Sequence, residues 1–209
     1  MEFLVKSGLQ VVTAIFILCG MALGYSDPTQ ITVLVNDSAG VPPAVLKQAE
    51  AEATRVFRIA GIDITWLDCV GENSGDLCRV VPTSDEFVLH IVPDGKTSSE
   101  WVFGEAFLGE DGKGKYIDIF FNRVRKADGI LSIDMGRLLG AVSAHELGHL
   151  LLGSHAHSQV GIMEPIWEDR SMREIGRGTL VFTKDQSQKM KARVGGPTLS
   201  VSVQRPFNY

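Results

Sequence analysis

The chain has 209 residues, of which 44% are hydrophobic and 22% are charged, and its formal net charge is −5. This length suffices for one ordinary domain with a hydrophobic core, and the composition excludes an intrinsically disordered chain. Because nucleic-acid binding requires a basic surface, the acidic balance argues against a nucleic-acid partner.

The N-terminal segment 1–24 has the pattern of an export signal. Lys6 precedes an apolar run from Leu9 to Leu23, and the run ends in small residues. A positive charge, an apolar stretch and a small-residue end are typical of a cleavable secretory signal peptide. An uncleaved membrane anchor is the alternative, although the run is shorter than the roughly 20 apolar residues that cross a bilayer. The sequence therefore predicts a secreted or extracytoplasmic protein, or one anchored by this segment.

The next part of the chain alternates between strand and helix patterns. Short, β-branched residues 31–35 predict a first strand. A helix then opens at Pro42 and Pro43, because proline suits the first helical turn. Its apolar residues recur at helical spacing as far as Ala60, after which a glycine can end the helix. Alternating apolar and polar residues 62–66 predict a second strand.

Two cysteines follow the export segment, at Cys69 and Cys78. An even number of cysteines in an exported chain favours a disulfide. The loop between them is polar and contains glycine, so it can bend to bring them together. A zinc site is the alternative, but no CxxC motif and no histidine pair lies nearby. The sequence therefore predicts a disulfide between Cys69 and Cys78.

Three further strands are predicted, at residues 87–92, 103–107 and 116–121, with a glycine-rich loop before the last of them. A long helix is predicted over residues 133–152, with Ser132 or Asp134 as its N-cap.

The chain is predicted to be irregular over residues 153–167. A last helix over 184–194 is indicated by the capping-box pair Thr183 and Gln186. No repeat or low-complexity linker interrupts the chain, so we expect one α+β domain over residues 25–195, followed by a tail over 196–209.

The long helix carries the pattern HExxH at residues 145–149. Residues four apart on a helix face the same way, about 6 Å apart, so the imidazoles of His145 and His149 can converge on one zinc ion. Glu146 borders that ion without having to bind it, and a carboxylate there can take a proton from zinc-bound water. The alternative is a histidine pair on a helix with no metal.

A catalytic zinc site needs a third protein ligand, for which His155 is the candidate. On a continuous helix His155 would lie about 15 Å beyond His145 along the axis, out of reach of the same ion. Gly153 allows the helix to end and the chain to turn back, since glycine readily adopts the left-handed conformation. We expect His157 to be a surface histidine, although it could substitute for His155 or lie just behind the ligands. We expect His90 to be an ordinary core or surface residue.

With this spacing the chain resembles the metzincin zinc peptidases, whose pattern HExxHxxGxxH is followed by a methionine-containing turn. Residues 161–163, Gly-Ile-Met, resemble that turn, and Met163 lies eight residues past His155 as in the matrix-metalloproteinase branch. The family glycine would fall at Leu152, and Gly153 follows it here. The resemblance implies that Met163 packs beneath the zinc site as an apolar floor.

The same resemblance implies a fold and an activity. The fold would be α+β, with a mixed five-stranded twisted sheet, an active-site helix and a C-terminal helix. The activity would be that of a zinc-dependent endopeptidase acting on a peptide or protein, with Zn²⁺ as its cofactor and Glu146 as general base. Residues 162–167 would form an apolar wall of the specificity pocket. An extended substrate would bind along an edge strand, for which the candidates are Gly104, Glu105, Ala106 and Phe107.

Three other interpretations stay open. In a gluzincin-type hydrolase a downstream glutamate is the third ligand, and Glu164, Glu168 and Glu174 are available for that role. A zinc-bearing but non-catalytic binding module is the second, and the intact Glu146 argues against it. An amide hydrolase that acts on cell-wall peptides instead of proteins is the third.

Overall fold

The computed structural model describes most of the predicted domain: residues 29–69, 78, 81–96, 99, 101–131 and 133–195. The predicted export segment 1–24 and the predicted tail 196–209 lie outside these residues. Within the described ranges, no helix combines the length and the apolar character needed to cross a membrane.

Five strands form one mixed sheet in the order β2-β1-β3-β5-β4. They are β1 (Thr29–Asp37), β2 (Ile62–Asp68), β3 (Glu86–Val92), β4 (Gly104–Phe107) and β5 (Tyr116–Phe120). Strands β2, β1, β3 and β5 run parallel to their neighbours, whereas β4 runs antiparallel to β5. The short strand β4 therefore lies at one edge of the sheet, with its far side free of any described strand.

Five helices complete the described fold: α1 (Pro43–Ile59), α2 (Phe121–Leu131), α3 (Met135–Leu152), α4 (Asp169–Arg177) and α5 (Lys184–Val194). Alternate residues of the strands, among them Val33, Leu89 and Ile117, share one hydrophobic core with apolar residues of α1 and α3. The sheet therefore packs one face against these two helices, as an α+β domain requires.

Helix α3 is the centre of this core. The carboxylate of Asp134 caps its first turn by accepting a hydrogen bond from the backbone N–H of Arg137 at 2.9 Å. Asp134 was one of the two predicted N-caps, and the other, Ser132, lies outside the described residues. Gly153 ends the helix with a φ of 64°, which is the left-handed conformation expected there. Between these ends all residues from Leu138 to Leu151 are buried. A helix buried all round can place polar side chains only where they are paired or functional.

The fold class, the five strands and the helices α1, α3 and α5 agree with the prediction. Helix α5 spans Lys184–Val194, and Thr183 and Gln186 form the predicted capping box. The predicted disulfide joins Cys69 to Cys78, whose Cα atoms lie 5.6 Å apart. The residues 70–77 between them lie outside the described part of the chain.

Two helices were not predicted. Phe121, expected to end the fifth strand, instead begins α2, where Phe121, Val124 and Ala127 are buried at helical spacing. Helix α4 follows the irregular segment, and its apolar residues Met172 and Ile175 are buried.

Candidate metal centre and active site

The two histidines of the HExxH motif face each other on α3. Their Nε2 atoms lie 3.1 Å apart. The Nδ1 atom of His145 donates to the carbonyl oxygen of Ile162 at 2.7 Å, and the Nδ1 atom of His149 donates to that of Ser154 at 2.8 Å. Because the Nδ1 atoms carry the protons in these bonds, both Nε2 atoms present lone pairs.

Two lone pairs at this distance repel each other unless a cation lies between them. Two ligand nitrogens on a tetrahedral zinc ion, each about 2.1 Å from the metal, would be about 3.4 Å apart. The observed separation is close to this value, and both rings are oriented by carbonyl groups, as is usual for histidine ligands. The donor set of His145 and His149 therefore fits a zinc ion.

The third histidine in this cluster is His157. The ligand nitrogens of His145, His149 and His157 all lie within 4.8 Å of one another, and among the described residues this is the group that could hold a metal. His157 is exposed, as expected of a surface histidine, and its place in this group agrees with the alternative that it substitutes for His155. His155, the third ligand expected from the sequence, lines the same cleft with its ring 5.9 Å from that of His149 but is outside this group.

The histidine loop begins one residue later than the metzincin pattern implies. The helix continues through Leu152, where that pattern has its glycine, and turns at Gly153. In the loop that follows, His157 and not His155 joins the group formed with the helix pair. His155 as third ligand stays a prediction, and the structure favours His157 in its place.

The protonation state of the histidines suits metal binding. Burial lowers the pKa of His145 to about 3, and it also lowers the pKa of His149 and His157. Since a metal ligand must be a neutral imidazole, no proton has to be removed from His145 near neutral pH before a metal binds.

Glu146 is a buried carboxyl group beside this cluster, with only 7% of its surface exposed. Burial raises its pKa to about 8, and the nearby charge of Glu105 adds to the effect. The strand β4 passes very close to it, because a Cβ atom on Gly104 would lie 2.8 Å from the Cγ atom of Glu146. The side chain of Glu146 therefore extends from the histidine helix towards the free edge strand, where a proton acceptor can reach a bound substrate.

Met163 and Trp167 support the cluster from the segment after the histidine loop. Met163 is fully buried, and its sulfur would lie 2.7 Å from a Cβ atom on Gly148, the residue before His149. The indole N–H of Trp167 donates to the carbonyl of Ile162 at 3.2 Å, the same carbonyl that orients His145. The segment that holds Met163 therefore fixes one of the two helix ligands.

Comparisons with known proteins bear on the fold. No family model and no curated protein matches the chain. A solved structure of an archaemetzincin from Methanopyrus kandleri matches with a TM-score of 0.50 and 15% identity, over 82% of this chain and 99% of that one. The fold is similar to that of archaemetzincin. At this identity the likeness concerns the fold alone.

An open cleft of about 310 Å³ runs across the archaemetzincin-like domain at this site. The histidines and Glu146 line its floor, and residues 164–167 form one side. Gly104, Glu105 and Ala106 of β4 form the opposite side, whereas Phe107, the fourth predicted substrate-binding residue, does not line the cleft. The exposed side chains of Trp101 and Ile166 make the two rims apolar.

None of the glutamates available for a gluzincin-type site joins the histidine group. Glu164 is buried at the cleft, where its carboxylate accepts hydrogen bonds from Arg170 and the hydroxyl of Ser171. Neither Glu168 nor Glu174 lies in the ligand group found among the described residues. Within the described ranges the candidate ligands are therefore histidines and include no glutamate.

Helix α5 packs against the turn at Gly153, from which the loop with His155 and His157 begins. A Cβ atom on Gly153 would lie 2.0 Å from the guanidinium of Arg193, so this side chain packs directly on the turn. The same guanidinium donates to the carbonyl of Gly112 in the loop between β4 and β5. No sequence pattern pointed to Arg193, because its contacts join three segments that are distant along the chain.

Proposed function

We propose that this chain is a zinc-dependent metalloendopeptidase that hydrolyses peptide bonds. The observation that carries the proposal is the pair of Nε2 atoms 3.1 Å apart on α3, each ring oriented by a carbonyl, beside a buried carboxyl group in an open cleft. The fold likeness supports it, since the name of the similar protein belongs to the metzincin group that the sequence resembles.

His145, His149 and His157 would hold the zinc ion, with His155 as the alternative third ligand. When bound, zinc acts as a Lewis acid that polarises the scissile carbonyl and lowers the pKa of a water molecule to about 7. The carbonyl groups of Ile162 and Ser154 keep both helix imidazoles in the tautomer that a ligand needs.

Glu146 is the general base of the proposed reaction. Its carboxylate takes a proton from the attacking water as the oxygen bonds to the carbonyl carbon, and it gives that proton to the amine nitrogen as the C–N bond breaks. In the metal-free protein burial keeps this group protonated near neutral pH. The positive charge of a bound zinc ion would favour the carboxylate form that a base requires, and burial makes that carboxylate a stronger proton acceptor than one in water.

The proposed substrate is a peptide or protein segment in extended conformation. Strand β4 has a free edge along the cleft, where main-chain hydrogen bonds can grip a peptide whatever its sequence. The disulfide between Cys69 and Cys78 is consistent with an extracytoplasmic location. We therefore propose that the protein acts outside the cytoplasm, either released or held by its N-terminal segment.

The ligand assignment is tested by zinc stoichiometry of single alanine variants. We expect His157→Ala to lose zinc and His155→Ala to retain it, with His90→Ala as a control. His90 suits this purpose because it lies on β3, where it contacts Asp118 at 3.3 Å. The reverse result for His155 and His157 would restore the ligand set expected from the sequence.

The activity is tested with a library of peptides, with and without a chelator. The proposal expects cleavage by the zinc-loaded protein and its loss in Glu146→Ala with zinc retained. Equal cleavage by that variant would exclude Glu146 as the base. One zinc ion per chain with no cleaved peptide would indicate a non-catalytic zinc module instead.

A further inference from the structure

One exposed acidic residue lies on the edge strand of the cleft. Besides Glu146, two glutamates are among the residues that line the cleft. Glu164 is buried and already bonded to Arg170 and Ser171. Glu105 is exposed on β4, and no cation or hydrogen-bond donor of the described residues contacts its carboxylate. The remaining lining on either side of the histidines is mostly apolar, including Trp101, Val102, Pro165, Ile166, Trp167 and Met172.

Glu105 has an acidic neighbour in the sheet. On its paired side its partner across the ladder is Asp118 of β5, another acidic residue, whose carboxylate contacts His90. Like charges directly opposite each other in a sheet are unfavourable. Asp118, the partner of Glu105 on β5, therefore brings no positive charge to it, and a cation placed beside Glu105 at the free edge would interact favourably with its carboxylate.

The free side of β4 is where such a cation can arrive. A peptide that adds to the edge of a sheet places one side chain directly across from each strand residue, on the same face, with Cβ atoms about 4.5–5.5 Å apart. Gly104, the residue before Glu105, lies against Glu146, so this part of β4 is next to the proposed base. The substrate side chain opposite Glu105 would thus belong to a residue near the scissile bond.

We propose that Glu105 is a specificity-determining residue that selects peptides with lysine or arginine at the position across from it. The inference rests on the proposed endopeptidase function and adds a substrate class to it. Gly104 and Ala106 are buried on the face towards α3, whereas Glu105 is exposed on the other face of β4. The basic side chain would therefore lie on the outer face of the added peptide, and the residues on either side of it would face the mostly apolar lining of the cleft.

The experiment uses the zinc-loaded full chain and matched peptides that differ only by Lys, Gln or Glu at one scanned position. At one position we expect kcat/KM to be roughly threefold to tenfold higher with Lys than with Glu, from the size of cross-strand charge pairs. The preference should shrink as salt is added, because both charges are partly exposed.

Variants of Glu105 then assign the preference to this side chain. Glu105→Gln should abolish it, Glu105→Lys should reverse it, and Glu105→Asp should keep it. The matched control is Glu110→Gln, which removes an exposed carboxylate from the loop after β4 and should retain the preference for Lys. The same ranking should appear in the binding of labelled peptides to zinc-loaded Glu146→Ala, measured by fluorescence anisotropy.

The outcomes separate this inference from the proposed function. If peptides are cleaved with equal efficiency whatever the charge, or if Glu105→Gln keeps the preference for Lys, the inference is overturned and the endopeptidase stands. If the zinc-loaded protein cleaves and binds no peptide, the proposed function fails and the inference fails with it.

Discussion

The buried carboxyl group of Glu146 should destabilise the metal-free protein at neutral pH, and Glu146→Gln should relieve this. In the folded chain its pKa is about 8, against an ordinary value of 4.5, and burial is the main cause. Below pH 4.5 both the folded and the unfolded chain keep the proton, so the group has no effect on stability. As the pH rises towards 8, the unfolded chain loses the proton while the folded chain retains it, and the free energy of unfolding decreases.

The magnitude follows from the two pKa values. Each pKa unit corresponds to about 1.4 kcal/mol, so at pH 7 the group lowers the free energy of unfolding by about 3 kcal/mol. Above pH 8 the effect levels off at about 5 kcal/mol. These are large fractions of the roughly 5–15 kcal/mol that stabilises an ordinary domain. A glutamine has the same shape and no charge to desolvate.

The assay is urea unfolding of chelator-treated wild type and Glu146→Gln between pH 4.5 and 8. The two free energies should agree at the acid end and differ by about 3 kcal/mol at pH 7, with the variant more stable. The lowered pKa of His145 affects both proteins alike, so it cancels in the difference. Glu105→Gln should produce only a minor part of this gain in stability, because the charge of Glu105 is the smaller of the two causes that raise the pKa of Glu146. Equal free energies for wild type and Glu146→Gln across this range would refute the reasoning.

Three further predictions concern the metal and two glycines. Chelation should abolish cleavage and lower the Tm, and zinc should restore both, because a ligand bound only by the folded state stabilises it. Gly104→Ala places a methyl group 2.8 Å from the Cγ atom of Glu146, so kcat/KM should fall about 100-fold while zinc content stays unchanged. Gly148→Ala places a methyl group 2.7 Å from the sulfur of Met163, so the free energy of unfolding should fall by about 1–3 kcal/mol. Gly176→Ala, which meets open space, is the control for denaturant unfolding, and an equal effect of both variants would contradict the packing argument.

Features that depend on neighbouring residues could be predicted from the sequence. Helix α5 begins at its capping box and ends where expected, and α3 ends at Gly153, because caps are local interactions. The strand pattern also sufficed for the edge strand β4, although the sequence placed Phe107 with its substrate-binding residues. The HExxH pair could be predicted because helical geometry alone brings His145 and His149 together.

Features that depend on the path of the chain in space could not be predicted from the sequence. The third histidine depends on the path of the loop after α3, and spacing along the chain could not decide between His155 and His157. Helix α2 was missed because Phe121 continues the apolar run of the preceding strand, and only the burial of Val124 and Ala127 distinguishes the two elements.

The contact of Arg193 with the turn at Gly153 has a consequence for metal affinity. The loop that follows this turn contains His157, the proposed third ligand, and an anchored loop loses less freedom when it closes on an ion than a loose one does. No described residue of helix α5 lines the cleft, yet the helix would lower the entropic cost of capturing the proposed zinc ion. Removal of the guanidinium in Arg193→Ala should therefore speed the release of the ion although every proposed ligand remains in place, so retention of the metal would depend on the domain beyond its cleft.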